Sequence, residues 1–175
     1  MQDFDYDEAH CYATHRNCVI QIWRGEILPH HIPLMTRRWH QVIVQQGSLA
    51  IFALVTPAAI PPSNARRQEI KDLYNSLDQD LRGVATVLED QGIKGTTASL
   101  VMTTMMLLAK PSYPTKNCTT VGDAAGWLAE SVPELDATPL SSAVESARKA
   151  YQRVCQSEWG EDLVHLSGRR RTGTG

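Results

Sequence analysis

The sequence predicts an α/β fold: an N-terminal hairpin, then a mainly parallel sheet flanked by helices, and a further C-terminal helix. Three observations carry this. Short runs rich in β-branched residues at 18–23, 48–56 and 83–89, with a weaker one at 115–119, alternate with segments of helical period, and that alternation implies strand–helix repeats on a parallel sheet. The run 48–56 is almost uniformly apolar, as a strand buried on both faces must be. Strands at 12–15 and 18–23 flank only Arg16 and Asn17, a spacing that closes a hairpin even though Arg-Asn is a poorer turn pair than Asn-Gly.

Within the second hairpin strand Cys18, Ile20 and Ile22 share one face and Val19, Gln21 and Trp23 the other, as a period of two requires. Ile32, Met35, Trp39 and Val42 then recur at helical spacing between Pro29 and Gln45. Pro29 and Pro33 fall before or within the first turn, where proline is tolerated, and Gly47 supplies the stop. The run 48–56 is the central strand. Prolines between 57 and 62 end it, and Ser63 or Asn64 caps a helix with the stripe Ile70, Leu73, Tyr74, Leu77 and Leu81. The strand 83–89 follows. A helix is expected from about Thr96 to Lys110, with Pro111 closing it, and then a short strand through 117–119. Thr120 with Asp123 three residues on begins a helix over 121–131 as a capping box does.

Residues 133–136 read as a linker. Thr138 caps a last helix with Pro139 at its first position, and Leu140, Val144, Ala147, Tyr151 and Val154 form its stripe. That stripe must bury against its own domain or, in a homodimer, against another chain; docking on its own domain is expected, as terminal helices commonly do. The organisation expected is an acidic segment 1–11, one domain over 12–132, linker and helix over 133–166, and a disordered tail 167–175 carrying Arg169–Arg171.

At 175 residues and 42% hydrophobic content the chain suffices for one sizeable core. The net charge of −2 and pI near 6.3 supply no global field to gather nucleic acid or an anionic membrane. The acidic first eight residues lack the basic and apolar regions of a signal peptide, and 49–55 is far too short to span a bilayer. A cytoplasmic protein with no membrane span and no nucleic-acid partner is expected, its four cysteines reduced.

The order hairpin, helix, strand, helix, strand, helix, strand, helix resembles the STAS, or SpoIIAA-like, fold, shared with the lipid-binding Sec14 group. The likeness is carried by 18–25 (CVIQIWRG), the central strand ending at 53–56, the strand 83–90 with its turn into 96–108, and 119–128 (TTVGDAAGWL). It covers about 12–132. The resemblance implies a signalling or regulatory domain acting through protein–protein contact, in which a turn after the third core strand presents a phosphorylatable serine. The matching stretch here is Gly95-Thr96-Thr97-Ala98-Ser99, without the family's Asp-Ser-Gly signature. Thr96 and Thr97 stand nearest its serine.

On physical grounds the turn 90–97 is also the leading candidate contact for a partner or an anion. A helix start just beyond a strand's carboxyl end offers unpaired N–H groups and a positive dipole, and Lys94, Gly95, Thr96 and Thr97 would favour a phosphate that Glu89 and Asp90 oppose. The commoner role for either threonine is helix capping.

Other clusters carry less. His10, Cys11, His15 and Cys18 fall within nine residues, but alternation along a strand keeps four ligands from converging, so no metal is expected. His30, His31 and His40 lack an accompanying nucleophile motif and read as surface or boundary residues. Met102, Met105 and Met106 line either a core or a soft apolar pocket. Arg37, Arg38, Arg66 and Arg67 read as solvated charge. No catalytic or cofactor motif is present, and the expected function is a non-enzymatic regulatory or scaffold domain. A carrier or sensor of a lipid or other apolar small molecule is the alternative.

Overall fold

The computed structural model describes residues 2–89 and 112–159. They form a six-stranded mixed sheet with strands β1 (Gln2–Tyr6), β2 (His10–His15), β3 (Cys18–Trp23), β4 (Leu49–Val55), β5 (Leu81–Leu88) and β6 (Thr115–Cys118), lying side by side in chain order. β1, β2 and β3 pair antiparallel, while β3, β4, β5 and β6 run parallel. Among the described residues four helices accompany the sheet: α1 (His31–Gln46), α2 (Asn64–Ser76), α3 (Val121–Ser131) and α4 (Ala137–Trp159). The expected α/β class is present, with an antiparallel hairpin leading into parallel strands.

Alternation along the strands divides the interior into two layers. Cys18, Ile20, Ile22, Ala50, Phe52, Leu54, Ala85 and Val87 face α3 and α4. Val19, Trp23, Leu49, Ile51 and Val84 face α1 and α2, against Met35, Trp39, Val42, Leu73 and Leu77. β4 is buried at all seven residues, as its uninterrupted apolar run predicts. No described helix is long and apolar enough to cross a membrane, and all four cysteines are buried thiols outside any disulfide.

The sequence signals for helix ends act as expected at several places. Gly47, at φ 75°, donates its N–H to the Ile43 carbonyl at 2.8 Å and stops α1. The Ser63 hydroxyl accepts the Arg66 N–H at the start of α2. Thr120 accepts the Asp123 N–H at 3.1 Å and starts α3. The Arg16-Asn17 turn forms with Arg16 at φ 53°, a left-handed conformation that costs a non-glycine residue roughly 1–2 kcal/mol. Offsetting contacts come from the linker, where Arg16 Nη1 reaches the Glu134 carbonyl at 2.7 Å and the Asp136 carboxylate at 3.1 Å.

Four expectations need correction. A strand β1 precedes the hairpin, because Phe4 and Tyr6 alternate with polar residues and pair their rings at 5.5 Å. Leu81 opens β5 instead of extending the α2 stripe, since α2 ends at Ser76. α4 begins at Ala137, with the Leu140 N–H bonded to the Asp136 carbonyl, so Thr138 lies inside the first turn and is not its cap. Cys155, not Val154, completes the α4 stripe, four residues beyond Tyr151 and therefore on the same helical face. The stripe is buried at Leu140, Val144, Ala147, Tyr151 and Cys155 in the layer shared with α3 and the sheet. The C-terminal helix thus docks on its own chain.

The C-terminal ends of the parallel strands, the β1–β2 corner and the start of α1 meet at one edge of the sheet. His10 lies opposite Trp23, Trp23 beside Val55, and Val55 beside Leu88. Just past Trp23, the Arg24 and Gly25 N–H groups share the Ala9 carbonyl at 2.9 and 3.2 Å. A Cβ on Gly25 would stand 2.8 Å from the Ala9 Cβ and 3.0 Å from its Cα. Gly25→Ala is therefore expected to lower the thermal midpoint through an overpacking cost of about 1–3 kcal/mol. Adding Ala9→Gly should recover part of the loss; thermal unfolding followed by circular dichroism on the single and double variants measures both effects.

Candidate functional site

Asp7 organises this edge. It occupies the corner between β1 and β2, where its Oδ1 accepts the backbone N–H groups of Ala9 at 2.8 Å and His10 at 2.9 Å. An aspartate bonding amides two and three residues ahead is the local turn that short acidic side chains favour. Oδ2 turns the other way and meets α1: the His31 Nε2 lies at 2.7 Å and the His30 Nε2 at 3.4 Å. The Asp7 carbonyl accepts the Tyr151 hydroxyl of α4 at 2.8 Å. One residue thereby joins the corner to helices on both faces of the sheet.

Burial alone would push the Asp7 carboxyl up, but the His31 hydrogen bond, the Ala9 N–H and the nearby His30 together hold it well below the usual carboxylate range. It is ionised at neutral pH. The four groups around it are donors or potential donors, as a carboxylate drawn partly out of water requires.

His31 is completely buried, which corrects the expectation of a surface or boundary residue; His30 and His40 are exposed. His31 takes the place in the α1 stripe that Ile32 was expected to fill. Its ring can be buried because both nitrogens are used. The Leu28 N–H donates to Nδ1 at 2.9 Å, so Nδ1 carries no proton and Nε2 must carry the one given to Asp7.

His10 is also buried, at 1% exposure. Its ring stacks on Trp23 with centroids 4.0 Å apart and meets the His31 ring edge-on at 5.5 Å. The buried Nε2 has no hydrogen-bond partner among the described residues, and burial, with His31 adding to it, pushes its pKa down to about 3. An unfolded imidazole takes its proton near about pH 6.5, so the His10 contribution to stability is complete above that value and is lost as pH falls toward 3. Asp7 acts in the same direction: its stabilisation is present above the ordinary carboxylate pKa and is lost as pH falls below it.

Asp7, His30 and His31 bring one ligand atom each within 4.8 Å of one another, the spacing of a three-ligand metal site. The hydrogen-bond polarity does not fit. A metal on His31 Nε2 needs the proton moved to Nδ1, where metal-binding histidines donate to an acceptor, and here Nδ1 already faces the Leu28 N–H. The same commitment leaves His31 no free lone pair for general-base chemistry. His10, Cys11, His15 and Cys18 do not converge either: Cys11 and Cys18 lie in the α3/α4 layer, His10 stacks on Trp23 of the other layer, and His15 is at the far end of β2. Burial pushes both of these thiols up, away from the thiolate a nucleophile needs.

The turn 90–97, with Asp90, Lys94, Gly95, Thr96 and Thr97, lies outside the described residues, as do Met102, Met105 and Met106 and the arginines 169–171. The last described residue before the turn, Glu89, sits at the edge just described. It donates its N–H to the Val55 carbonyl at 3.1 Å and its carboxylate pairs with Arg148 of α4 at 2.6 Å. Arg38 and Arg66, expected as solvated charge, are ion-paired with Asp5 and Glu69 respectively. Sequence reasoning missed Asp7 and its contacts. The available signal was an aspartate followed at the third position by His10, and the pair His30-His31 at a predicted helix start.

Comparison with family models, curated proteins and solved structures finds no match for this chain.

Two measurements check this account of the edge. Asp7→Ala strips a charged acceptor from several donors and should lower unfolding stability at pH 7 by about 1–3 kcal/mol in urea titrations. Addition of Zn²⁺ or Ni²⁺ should leave the thermal midpoint of the wild type unchanged; a rise that disappears in His31→Gln would contradict the assigned tautomer.

Proposed function

We propose that this chain is a non-enzymatic, cytoplasmic regulatory or scaffold domain of SpoIIAA-like kind that acts by contacting another protein at the C-terminal edge of its parallel strands. One observation carries the reading. The segments leaving β3 and β4 at this edge present Leu28 and Ile60 to solvent, 39% and 54% exposed, while the histidine–carboxylate cluster beside them is occupied by its own internal hydrogen bonds. Exposed apolar groups beside a rigid polar frame suit recognition. The residues of the turn 90–97 follow directly in sequence from the β5 end at this edge, and the reading keeps Asp90, Lys94, Gly95, Thr96 and Thr97 in the contact, with Thr96 or Thr97 as the place for a regulatory phosphate.

Affinity capture from the native source tests this with the wild-type chain, Leu28→Asp/Ile60→Asp, and Val44→Asp as a control on the highly exposed Val44 of α1. A stoichiometric protein held by the wild type and by Val44→Asp should fall at least tenfold with the double variant, thermal midpoints being equal. Equal capture by all three chains would overturn the placement. Native mass spectrometry of the purified chain should show the mass of the polypeptide alone, and a retained lipid mass would replace this reading with that of an apolar-ligand carrier.

A further inference from the structure

We propose that the β1–β2 corner is an acid-operated latch, in which proton uptake by His10 releases residues 2–9 from the sheet edge while the parallel strands stay folded. The inference stands on the geometry of the corner and is independent of the proposed partner contact.

β1 is poised for separate release. Among the described residues it is an edge strand paired with β2 alone, and its register is broken between Gln2 and Asp5. Beyond that pairing the described ties of residues 2–9 include Phe4 packed on the α3/α4 layer, Asp5 to Arg38 at 2.9 Å, the Tyr6 hydroxyl to Glu158 at 3.3 Å on the exposed surface, the Asp7 contacts to His31 and Tyr151, the Glu8 carbonyl to Arg24 Nη1 at 3.1 Å, and the Ala9 carbonyl to the Arg24 and Gly25 N–H groups, the last four gathered at the corner itself. β2 is different in kind. It pairs with β3 over six consecutive residues and buries Cys11 and Ala13 in the α3/α4 layer. Undoing the corner therefore frees β1 without undoing β2.

His10 is the group that couples this corner to protons. Its ring is closed in by Trp23 of β3, His31 of α1 and Tyr12 of its own strand, and among the described residues no acceptor reaches its Nε2. The charged and titratable groups around it are Asp5 of β1, Asp7 and Glu8 of the corner, Arg24 after β3, His30, His31 and Arg38 of α1, and Tyr151 of α4. The carboxylate best placed to receive an imidazolium, Asp7, already holds two amides through Oδ1 and His31 through Oδ2. A protonated His10 thus gains water only by leaving its stack, and the depressed pKa of the buried ring agrees. Departure removes the support under the corner and bares the outer edge of β2, whose N–H and C=O groups β1 covers.

Native-state amide exchange by NMR on the full chain at pH 7, 6 and 5, corrected for intrinsic exchange rates, tests the latch. The opening constant of amides in residues 4–9 should rise by up to tenfold per pH unit below about pH 6, the slope for one proton bound only in the open state. Amides of β4 and β5 should keep their protection. His10→Phe preserves a stacked ring that cannot titrate, and should make the β1 opening constant independent of pH. Asp7→Asn provides a reading that does not need the His10 variant to fold: its β1 amides should already open at least tenfold more at pH 7 than those of the wild type. A pH-independent β1 in the wild type, parallel loss of protection in β1 and β4, an unchanged slope in His10→Phe, or full β1 protection in Asp7→Asn would each overturn the proposal.

Discussion

The Asp7 carboxylate is the constraint on which this architecture turns. A charged group drawn partly out of water persists only if its oxygens are met by donors, and here those donors come from separate parts of the chain. The Ala9 and His10 amides fix the path of the corner, and the His31 ring fixes the first turn of α1. The Tyr151 hydroxyl, on the residue's carbonyl, ties in α4. Because α1 and α4 cover opposite faces of the sheet, these bonds hold the two layers in one relation at the edge where the parallel strands end. The same bonds determine what the histidines can do. His31 is locked as one tautomer, His10 is buried beside it with a nitrogen that no described residue pairs, and His30, of these three, reaches solvent. A trio of residues that resembles a metal site by spacing is, by the direction of its hydrogen bonds, a structural clasp.

Elsewhere the fold is held by the ordinary division of a two-layered α/β sheet. Small residues at Ala50, Ala53 and Ala85 and large ones at Phe52, Leu54 and Ile51 fill β4 and β5 from both sides, and the helices supply stripes that match. Local costs are met by distant contacts. The left-handed Arg16 turn is secured by the linker before α4, and Asn17, buried at the same turn, gives its Nδ2 to the Ser48 hydroxyl at 2.9 Å. Partnership across more than a hundred residues thus substitutes for the Asn-Gly pair that a self-sufficient hairpin would carry.

Much of the fold was legible along the chain because its signals are local. Uniform apolarity marked β4, Thr120 with Asp123 marked the start of α3, Gly47 marked the end of α1, and the spacing from Leu140 to Tyr151 marked the buried face of α4. Misreadings arose where two periods overlap. Leu81 continues the helical stripe of α2 by count, yet Ser76 ends that helix and the next apolar residue belongs to a strand. β1 was hidden because the residues before Phe4 and Tyr6, Asp3 and Asp5, are acidic, and acidic composition reads as solvated chain before the alternation is noticed.

The amino-acid order by itself determined the class of fold, the central strand and, among the described residues, the end of α1, the start of α2 and both ends of α3, since hydrophobic period and capping groups act over a few residues. It did not determine the candidate site. Whether His31 is a surface residue or a buried donor depends on Asp7, twenty-four positions away, and whether the Asp7 backbone is held depends on Tyr151, one hundred and forty-four positions away. A hydrogen bond is decided by the distance and direction of two atoms in space, and only the packing of α1 and α4 on the sheet brings those atoms together.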